Sequence, residues 1–325
     1  MTESEKDWVA EIGLLIYPDC QMSAIHGLTD LFRVASDWVG RADTRTVRIT
    51  HWKAGRGGAP ECVWDTAPGT PHNLDYIIAP PSIVMPERMQ SMLKEAAWLR
   101  AQHQGGSRVC SVCAGAFVLA ESGVLQGRRV TTHWAFAKQL AERHGDIEVA
   151  DRNLILDDGD ILSAGGILAW TDLGLTIVER LFGRSAMLST ARFMVVEPPR
   201  ATQLPYREFI PDFDHGDAAV LTAQHHIHAK LGDALSLAEL AQVAGLGQRT
   251  FMRRFAKATT LNPTEYIQQS RVAKARSILE QTNRPLDHIA WAVGYKNPSA
   301  FSKVFQRLSG VSATEYRNRY AVGPA

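Results

Sequence analysis

The chain has 325 residues and a formal net charge of +1, long enough for two domains on the usual size scale. No apolar run approaches the roughly 18 residues that span a bilayer, and the opening MTESEKDW has no apolar signal region, which argues against a membrane protein and predicts a cytoplasmic one. Four cysteines are too few to staple a chain this long, which argues against a disulfide framework and predicts reduced thiols.

In chain order, EIGLLIY (11–17), TVRITHW (46–52), DYIIAP (75–80) and SRVCSVC (107–113) read as short strands, with helical patterns around Ile25 to Ser36, Glu87 to His103 and Gly115 to Ser122. Strands alternating with helices predict a mostly parallel sheet with helices on both faces. EPPRATQLPYREFIPDFDHG (197–216) is dense in Pro, Gly and Asp and has no sustained period, so it reads as a linker. The expected organisation is therefore an α/β domain over 1–196, a linker over 197–216 and an all-α domain over 217–325. Residues 1–216 hold 21 Lys and Arg against 27 Asp and Glu, a balance of −6, whereas residues 217–325 hold 14 against 7, a balance of +7. Such asymmetry points to a basic, nucleic-acid-facing module behind a neutral-to-acidic one.

VCSVCAGAFV (109–118) is a strand running through Cys113 into a small-residue turn that opens a helix. That is the arrangement of a nucleophile elbow, and the helix dipole is expected to lower the pKa of a Cys placed there. Cys110 and Cys113 form a CxxC, but with no second CxxC, and with Cys20 and Cys62 standing alone, no metal site is expected. The pair could also be redox-active, but Cys110 is expected to lie in the strand and point away from the elbow, which argues against redox switching. Trp64, Trp134 and Trp170 could form an aromatic cage for a cationic amine, although core packing is the preferred reading. His225, His226 and His228 invite a metal reading too; on a helix only His225 and His228 share a face, and a solvated pair is preferred.

The last third repeats itself. LAELAQVAGLGQRTFMRRF (237–255) is echoed by LDHIAWAVGYKNPSAFSKVF (286–305), and Thr264-Glu265-Tyr266 by Thr314-Glu315-Tyr316, at an offset of about 50 residues. Leu237, Leu240, Ala241 and Ala244, like Leu286, Ile289, Ala290 and Val293, have the spacing of one buried helix face. Gly245 or Gly294 follows, where a positive φ costs little. Then comes a second helix whose Phe251 and Phe255, or Phe301 and Phe305, point inward. Asn297 and Pro298 suit the N-cap and first position of the second such helix, and Gly247 is a weaker cap for the first. Helix, tight turn, helix is the unit whose second helix enters a DNA major groove.

These residues resemble the C-terminal domain of AraC/XylS transcriptional regulators over about 100 residues. The resemblance implies two helix-turn-helix units joined by a long helix, here about Thr264 to Gln281. A joining helix of that size is roughly 27 Å long, which suits recognition helices about one DNA turn apart. It further implies base readers at Arg249, Met252 and Arg253, with Ser299, Ser302 and Lys303 as the matching positions on the second helix and the capping Asn297 beside them at the DNA. Arginine can bond guanine O6 and N7 together, so the first helix is expected to carry more sequence specificity. Gln248, Arg254 and Lys257 are expected to be phosphate clamps.

CAGAFVLAESGVLQGRRVTTHW (113–134) and LSAGGILAWTDLGLTIVERLFG (162–183) resemble the PfpI-like branch of the class I glutamine amidotransferase-like superfamily, over roughly residues 10 to 195. The resemblance implies a flavodoxin-like sheet, and its combination with the AraC-type half resembles regulators of the GlxA/FtrA type. The chain departs from the enzymes at each catalytic element. Ala24 stands where they place a carboxylate, and Ala114 where a related peptidase branch has His. Pro81 and Ser82 replace a Gly-Gly oxyanion pair, and Pro has no N–H to give. His133 remains as a partner for Cys113 but lacks its orienting acid.

The reading is a sequence-specific transcriptional regulator, an activator, whose catalytically degenerate domain senses a small molecule or dimerises. Cys113, Ala114, His133, Ala24, Pro81 and Ser82 line its candidate pocket. Promoter DNA, a small-molecule effector, a second copy of the chain and RNA polymerase are the expected partners, with no cofactor, metal or membrane. The alternative is a PfpI-like cysteine hydrolase or amidase fused to a DNA-binding domain.

Overall fold

The computed structural model describes residues 8–39, 46–55 and 58–322, so most of the N-terminal segment read above as lacking a signal region lies outside the described residues. The chain divides into two units, Met1–Gln203 and Leu204–Ala325.

The first unit runs β1 (Trp8–Ile16), α1 (Met22–Val39), β2 (Thr46–Ala54), β3 (Pro60–Asp65), β4 (Tyr76–Ala79), α2 (Leu93–Gln104), β5 (Arg108–Val112), α3 (Gly115–Ser122), β6 (Arg129–Val130), α4 (Ala137–Arg143), β7 (Glu148–Val149), β8 (Ile155–Asp157), β9 (Ile161–Ala164), α5 (Trp170–Phe182) and α6 (Arg184–Phe193). Seven strands form one sheet in the order β3-β2-β1-β4-β5-β9-β8, and β6 and β7 pair separately. The five central strands are parallel, and β3 and β8 flank them antiparallel. Counting only the parallel strands, the order is 2-1-3-4-5, the flavodoxin-like winding, which reverses between β1 and β4. Right-handed crossovers running in opposite directions from that point place α1 on one face and α2 and α3 on the other. Accordingly α1 packs with α5 and α6, and α2 with α3. β4 and β5 are buried almost end to end, which is why they read as continuous apolar runs.

The sequence reading falls short at both edges and at one central strand. β3 is largely exposed and β8 is only three residues long, so neither was read as a strand, and the fully buried β9, four residues interrupted by Ser163, was not read as one either. The helix expected from Glu87 starts only at Leu93, because the Met92 N–H is taken by Glu121 Oε2 at 2.7 Å and residues 85–88 close a turn of their own.

The segment 197–216 is divided between the units. Arg200 bonds Asp172 on α5 through its backbone N–H and guanidinium. The Gln203 amide is buried, accepting from Trp134 N–H at 3.0 Å and donating to the Thr132 carbonyl at 2.8 Å. From Leu204 onward the chain belongs to the second unit, where the Leu204 and Arg207 carbonyls both accept from the buried Arg276 guanidinium.

The second unit runs α7 (Ala218–Ala229), α8 (Leu237–Val243), α9 (Gln248–Thr259), α10 (Pro263–Gln281), α11 (Leu286–Ala292), α12 (Pro298–Ser309) and α13 (Ala313–Tyr320). It has two cores that share α10. The first gathers Val220, Leu240, Phe251, Phe255 and Tyr266; the second gathers Val272, Leu279, Ile289, Phe301, Phe305 and Tyr316. The repeated Thr-Glu-Tyr opens α10 and sits in the first turn of α13. Its Glu is the third helical residue after a capping Asn262 or Ser312, and both caps accept that Glu's N–H, at 2.9 and 3.1 Å. Its Tyr closes the core of its own repeat.

Candidate functional site

At the elbow, β5 ends at Val112 and α3 starts at Gly115, leaving two residues for the turn. Cys113 takes the strain with φ +54°, rare for a residue with a side chain. Three hydrogen bonds hold it there: its N–H donates to the Ala164 carbonyl at 2.8 Å, and its carbonyl accepts from Thr132 Oγ1 at 2.7 Å and from Ala116 N–H at 3.2 Å. Gly115 permits the turn, because a Cβ on it would lie 2.4 Å from the Ala79 oxygen and 2.6 Å from the Pro80 oxygen.

The chemistry at Cys113 is opposite to the expected activation. The side chain is 2% exposed, and burial pushes the thiol up to about 12. Loss of water around a thiolate outweighs the dipole of a helix only eight residues long. His133 supplies no base: among the described residues no hydrogen bond joins it to Cys113. Its Nδ1 accepts the Ala135 N–H at 3.2 Å as the cap of a short 3-10 turn, its ring lies beside Trp134 and Phe136, and burial lowers its pKa. Cys110 is fully buried inside β5 and is also raised to about 12 by burial.

The other predicted pocket residues meet where the sheet order reverses, at the carboxyl ends of β1 and β4. There the two loops are laced together. Gln21 N–H donates to the Pro81 carbonyl at 2.7 Å, Ile83 N–H to the Asp19 carbonyl at 2.9 Å, and Tyr17 Oη to the Pro80 carbonyl at 2.6 Å, while Cys20 and Ser82 form a β-bridge. Ala24 is fully buried on α1, and Ala114 caps α3 without a side-chain bond. Three polar side-chain atoms near this edge are buried without a hydrogen-bond partner: Gln21 Oε1, beside the start of α1, Ser111 Oγ, on β5 opposite the last residue of β4, and Trp170 Nε1, at the start of α5. Tyr17, Gln21 and Thr132 were not singled out from sequence, because nothing in a single hydroxyl or amide marks it as meeting a loop more than 60 residues away, as Tyr17 does.

The three tryptophans are each packed against something local. Trp64 stacks on His51 at 4.4 Å, Trp134 lies beside His133, and Trp170 rests where a side chain at Gly27 would be. His225 and His228 do share a face and both pack on Phe213; His228 Nε2 also bonds Tyr266 Oη at 2.9 Å, and His226 pairs with Glu239. Cys62, expected to stand alone, has Asp65 and His72 beside it.

In the second unit the turns form at Gly245 and Gly294 with φ +64° and +87°. Asn297 caps α12, accepting Ser299 N–H at 2.8 Å, and Pro298 is its first residue; Gly247 caps α9 with backbone alone. On α9, Gln248, Arg249, Met252, Arg253 and Lys257 are exposed, opposite the buried Phe251 and Phe255. On α12, Ser299, Ser302 and Lys303 are exposed, and the Ser302 hydroxyl donates back to the Pro298 carbonyl. Arg254, expected as a phosphate clamp, is instead engaged along one edge of its guanidinium, where Nε and Nη2 both donate to Asp217. Arg271, which links the two helix-turn-helix repeats, escaped the sequence reading. Arg271 on α10 donates to the Leu231 and Asp233 carbonyls before α8 and lies over the Tyr295 ring after α11. One side chain thus ties the first repeat to the second.

Comparison with known proteins places both units. Residues 53–180 match the DJ-1/PfpI family, and residues 240–319 match a helix-turn-helix domain. The transcriptional regulator GbdR of Pseudomonas aeruginosa is 24% identical over 234 residues, 71% of this chain and 63% of its own, so the match spans less than two thirds of that relative. The regulator GlxA of Rhizobium meliloti is 28% identical over 225 residues, 68% of each chain. Isonitrile hydratase of Pseudomonas putida is 29% identical over 202 residues, 62% of this chain and 83% of its own.

Proposed function

From a chain that joins a DJ-1/PfpI-type domain to an AraC-type helix-turn-helix domain, we propose a sequence-specific transcriptional regulator whose first unit has given up catalysis for ligand sensing. The observation that carries the DNA-binding half is the doubled frame: two helices of equal length, each with its aromatic face buried and its opposite face exposed, on one α10. α10 is about 28 Å long by its 19 residues, a suitable spacer for adjacent major-groove faces. Arg249 and Arg253 read bases, Met252 makes an apolar contact, and Gln248 and Lys257 hold phosphates. Asn297, Ser299, Ser302 and Lys303 form the less discriminating second reader. The chain acts as a cytoplasmic homodimer and activates by engaging RNA polymerase.

For the first unit, a protonated, buried Cys113 without a base argues against a cysteine hydrolase. Gln21 Oε1 and Trp170 Nε1 support a pocket, since one can accept and the other donate at the sheet edge where such folds take ligands. The effector is thus a small molecule with a donor and an acceptor, bordered by Ala24, Pro81, Ser82, Cys113, Ala114 and His133.

Operator selection from random duplexes followed by anisotropy titration tests the first claim. Binding to the selected site weakens steeply with salt, and Arg249→Ala with Arg253→Ala relaxes sequence preference; unchanged preference overturns the assignment. A thermal-shift screen of small molecules against the full chain tests the second. A retained ligand must change operator affinity, and operator DNA must change ligand affinity by the same factor. Turnover of a ligand that disappears in Cys113→Ala would establish the enzyme instead.

A further inference from the structure

At the β3 edge of the sheet lies a cluster that neither the elbow nor the DNA-reading faces use. Cys62, Asp65 and His72 each offer a ligand atom, and these atoms lie within 4.8 Å of one another. In a regular strand Cys62 and Asp65, three residues apart, point to opposite faces. β3 is not regular. Thr50 pairs with Asp65 and His51 with Trp64, but Trp52 pairs with Cys62, so Val63 is an inserted residue. That bulge turns the thiol to the face that carries Asp65, Arg48, Thr50 and Trp52; re-aiming a side chain is what such bulges do. His72 enters from the loop before β4, with its ring edge-to-face against Trp52 at 4.9 Å.

The surroundings suit a cation. Glu11 and Arg48 are buried to within 1% exposure; Arg48 Nη1 lies 3.3 Å from Glu11 and Nη2 2.6 Å from Asp65. Two carboxylates facing one guanidinium leave a negative charge in excess. A deprotonated Cys62 makes it two, the charge of a divalent ion. Glu11 Oε1 is 2.7 Å from His72 Nδ1, and an Nδ1–H that donates to this carboxylate leaves the Nε2 lone pair free, the usual support of a metal-bound histidine. Asp65 also has capacity left. Its Oδ2 accepts one hydrogen bond, from Arg48 Nη2, and a carboxylate oxygen can accept two.

We propose that Cys62, Asp65 and His72 bind a thiophilic divalent cation of the Zn2+ class, with one coordination position left open. One sulfur, one nitrogen and one oxygen form a borderline-soft donor set, and three protein ligands are the number that leaves a tetrahedral ion accessible. Donors on such an ion stand about 3.3 to 3.8 Å apart, so the three side chains close in by rotation about their own bonds. The ion replaces the Cys62 thiol proton, which leaves to solvent, and a sulfur–metal bond forms without any change of oxidation state. Occupancy ties the edge strand, the His72 loop and β1 together, and the open position can take water or a Lewis-basic ligand.

The test is Co2+ titration of the untagged, metal-stripped full chain followed by absorption, with Zn2+ competition and thermal melts. The expected result is a thiolate-to-cobalt charge-transfer band saturating at one equivalent, displaced by Zn2+, with a higher melting midpoint for the loaded protein. Cys62→Ser abolishes the band, and His72→Ala, a change on an exposed loop that leaves Arg48 and Asp65 paired, weakens affinity about tenfold or more. The Cys20→Ser variant and the His225→Ala/His228→Ala double variant keep band and affinity. Absence of the band, a band that survives Cys62→Ser, or one that depends on His225 and His228 overturns the proposal.

Discussion

Arg254 grips Asp217 side-on with one edge of its guanidinium, Nε to Oδ2 at 2.8 Å and Nη2 to Oδ1 at 2.6 Å, while Asp217 Oδ1 also accepts Val220 N–H at 3.1 Å as the cap of α7. The pair fastens α9 to the helix before the first repeat. Arg254→Ala is therefore expected to lower the melting midpoint and to weaken all duplexes alike. Arg249→Ala and Arg253→Ala should leave the midpoint in place and remove about 1 to 3 kcal/mol of discrimination at one base each. Melts of the three variants beside titrations on a panel of single-base operator changes separate the two roles; an unchanged midpoint in Arg254→Ala with uniformly weaker binding would return that residue to the phosphate clamps.

Cys113 should be inert at neutral pH. With the thiol near 12, the thiolate fraction at pH 7.5 is on the order of 1 in 10^4 or less. Iodoacetamide followed by peptide mass spectrometry should label partly exposed Cys62 first, and Cys110 and Cys113 only on unfolding. Fast labelling of Cys113 in the folded chain would restore the activated elbow.

Gly115 has no room for a methyl group, since its neighbours there are backbone carbonyl oxygens of β4 and the following loop, which cannot swing aside. Gly115→Ala should cost about 1 to 3 kcal/mol of stability, read as a shifted urea midpoint. Ala114→Gly, one residue earlier, is the comparison; equal effects would mean the close approach has no weight.

His51 gives the first unit a pH-dependent stability. Its Nε2 lies 2.8 Å from Thr29 Oγ1, whose own proton goes to the Ile25 carbonyl, so the ring is the donor. Burial, with His26 nearby, lowers its pKa from 6.5 to about 4. The folded state keeps the ring neutral while the unfolded state protonates it below about 6.5. Stability is full above pH 6.5 and falls as the pH drops toward 4, by up to roughly 3 kcal/mol. Urea titrations at pH 7, 6, 5 and 4.5 check this, and in His51→Asn the slope should shrink by about one proton.

How much was legible follows from the range over which each feature is decided. The i, i+3, i+4, i+7 apolar spacing, Gly245 and Gly294 at the turns, and Asn297-Pro298 at a helix start are local, and each stands where its pattern put it. Central strands such as β4 and β5 are buried on both faces and announce themselves as apolar runs. Edge strands are not, so β3 and its bulge left no signal. The start of α2 moved because Glu121, far along the chain, takes the N–H of Met92.

The amino-acid sequence by itself determined the doubled helix-turn-helix frame and the alternation of strands and helices, because periodicity and capping act within a turn or two of backbone. The tertiary structure alone decided what individual side chains are. Arg254 became a clasp because Asp217, 37 residues away, reached it first. Cys113 became a neutral thiol because burial outweighs a short helix dipole. Cys62 gained two neighbours because one inserted residue turned it to the other face of the sheet. Charge state and partnership depend on solvent and on distant chain segments, and a linear sequence displays neither.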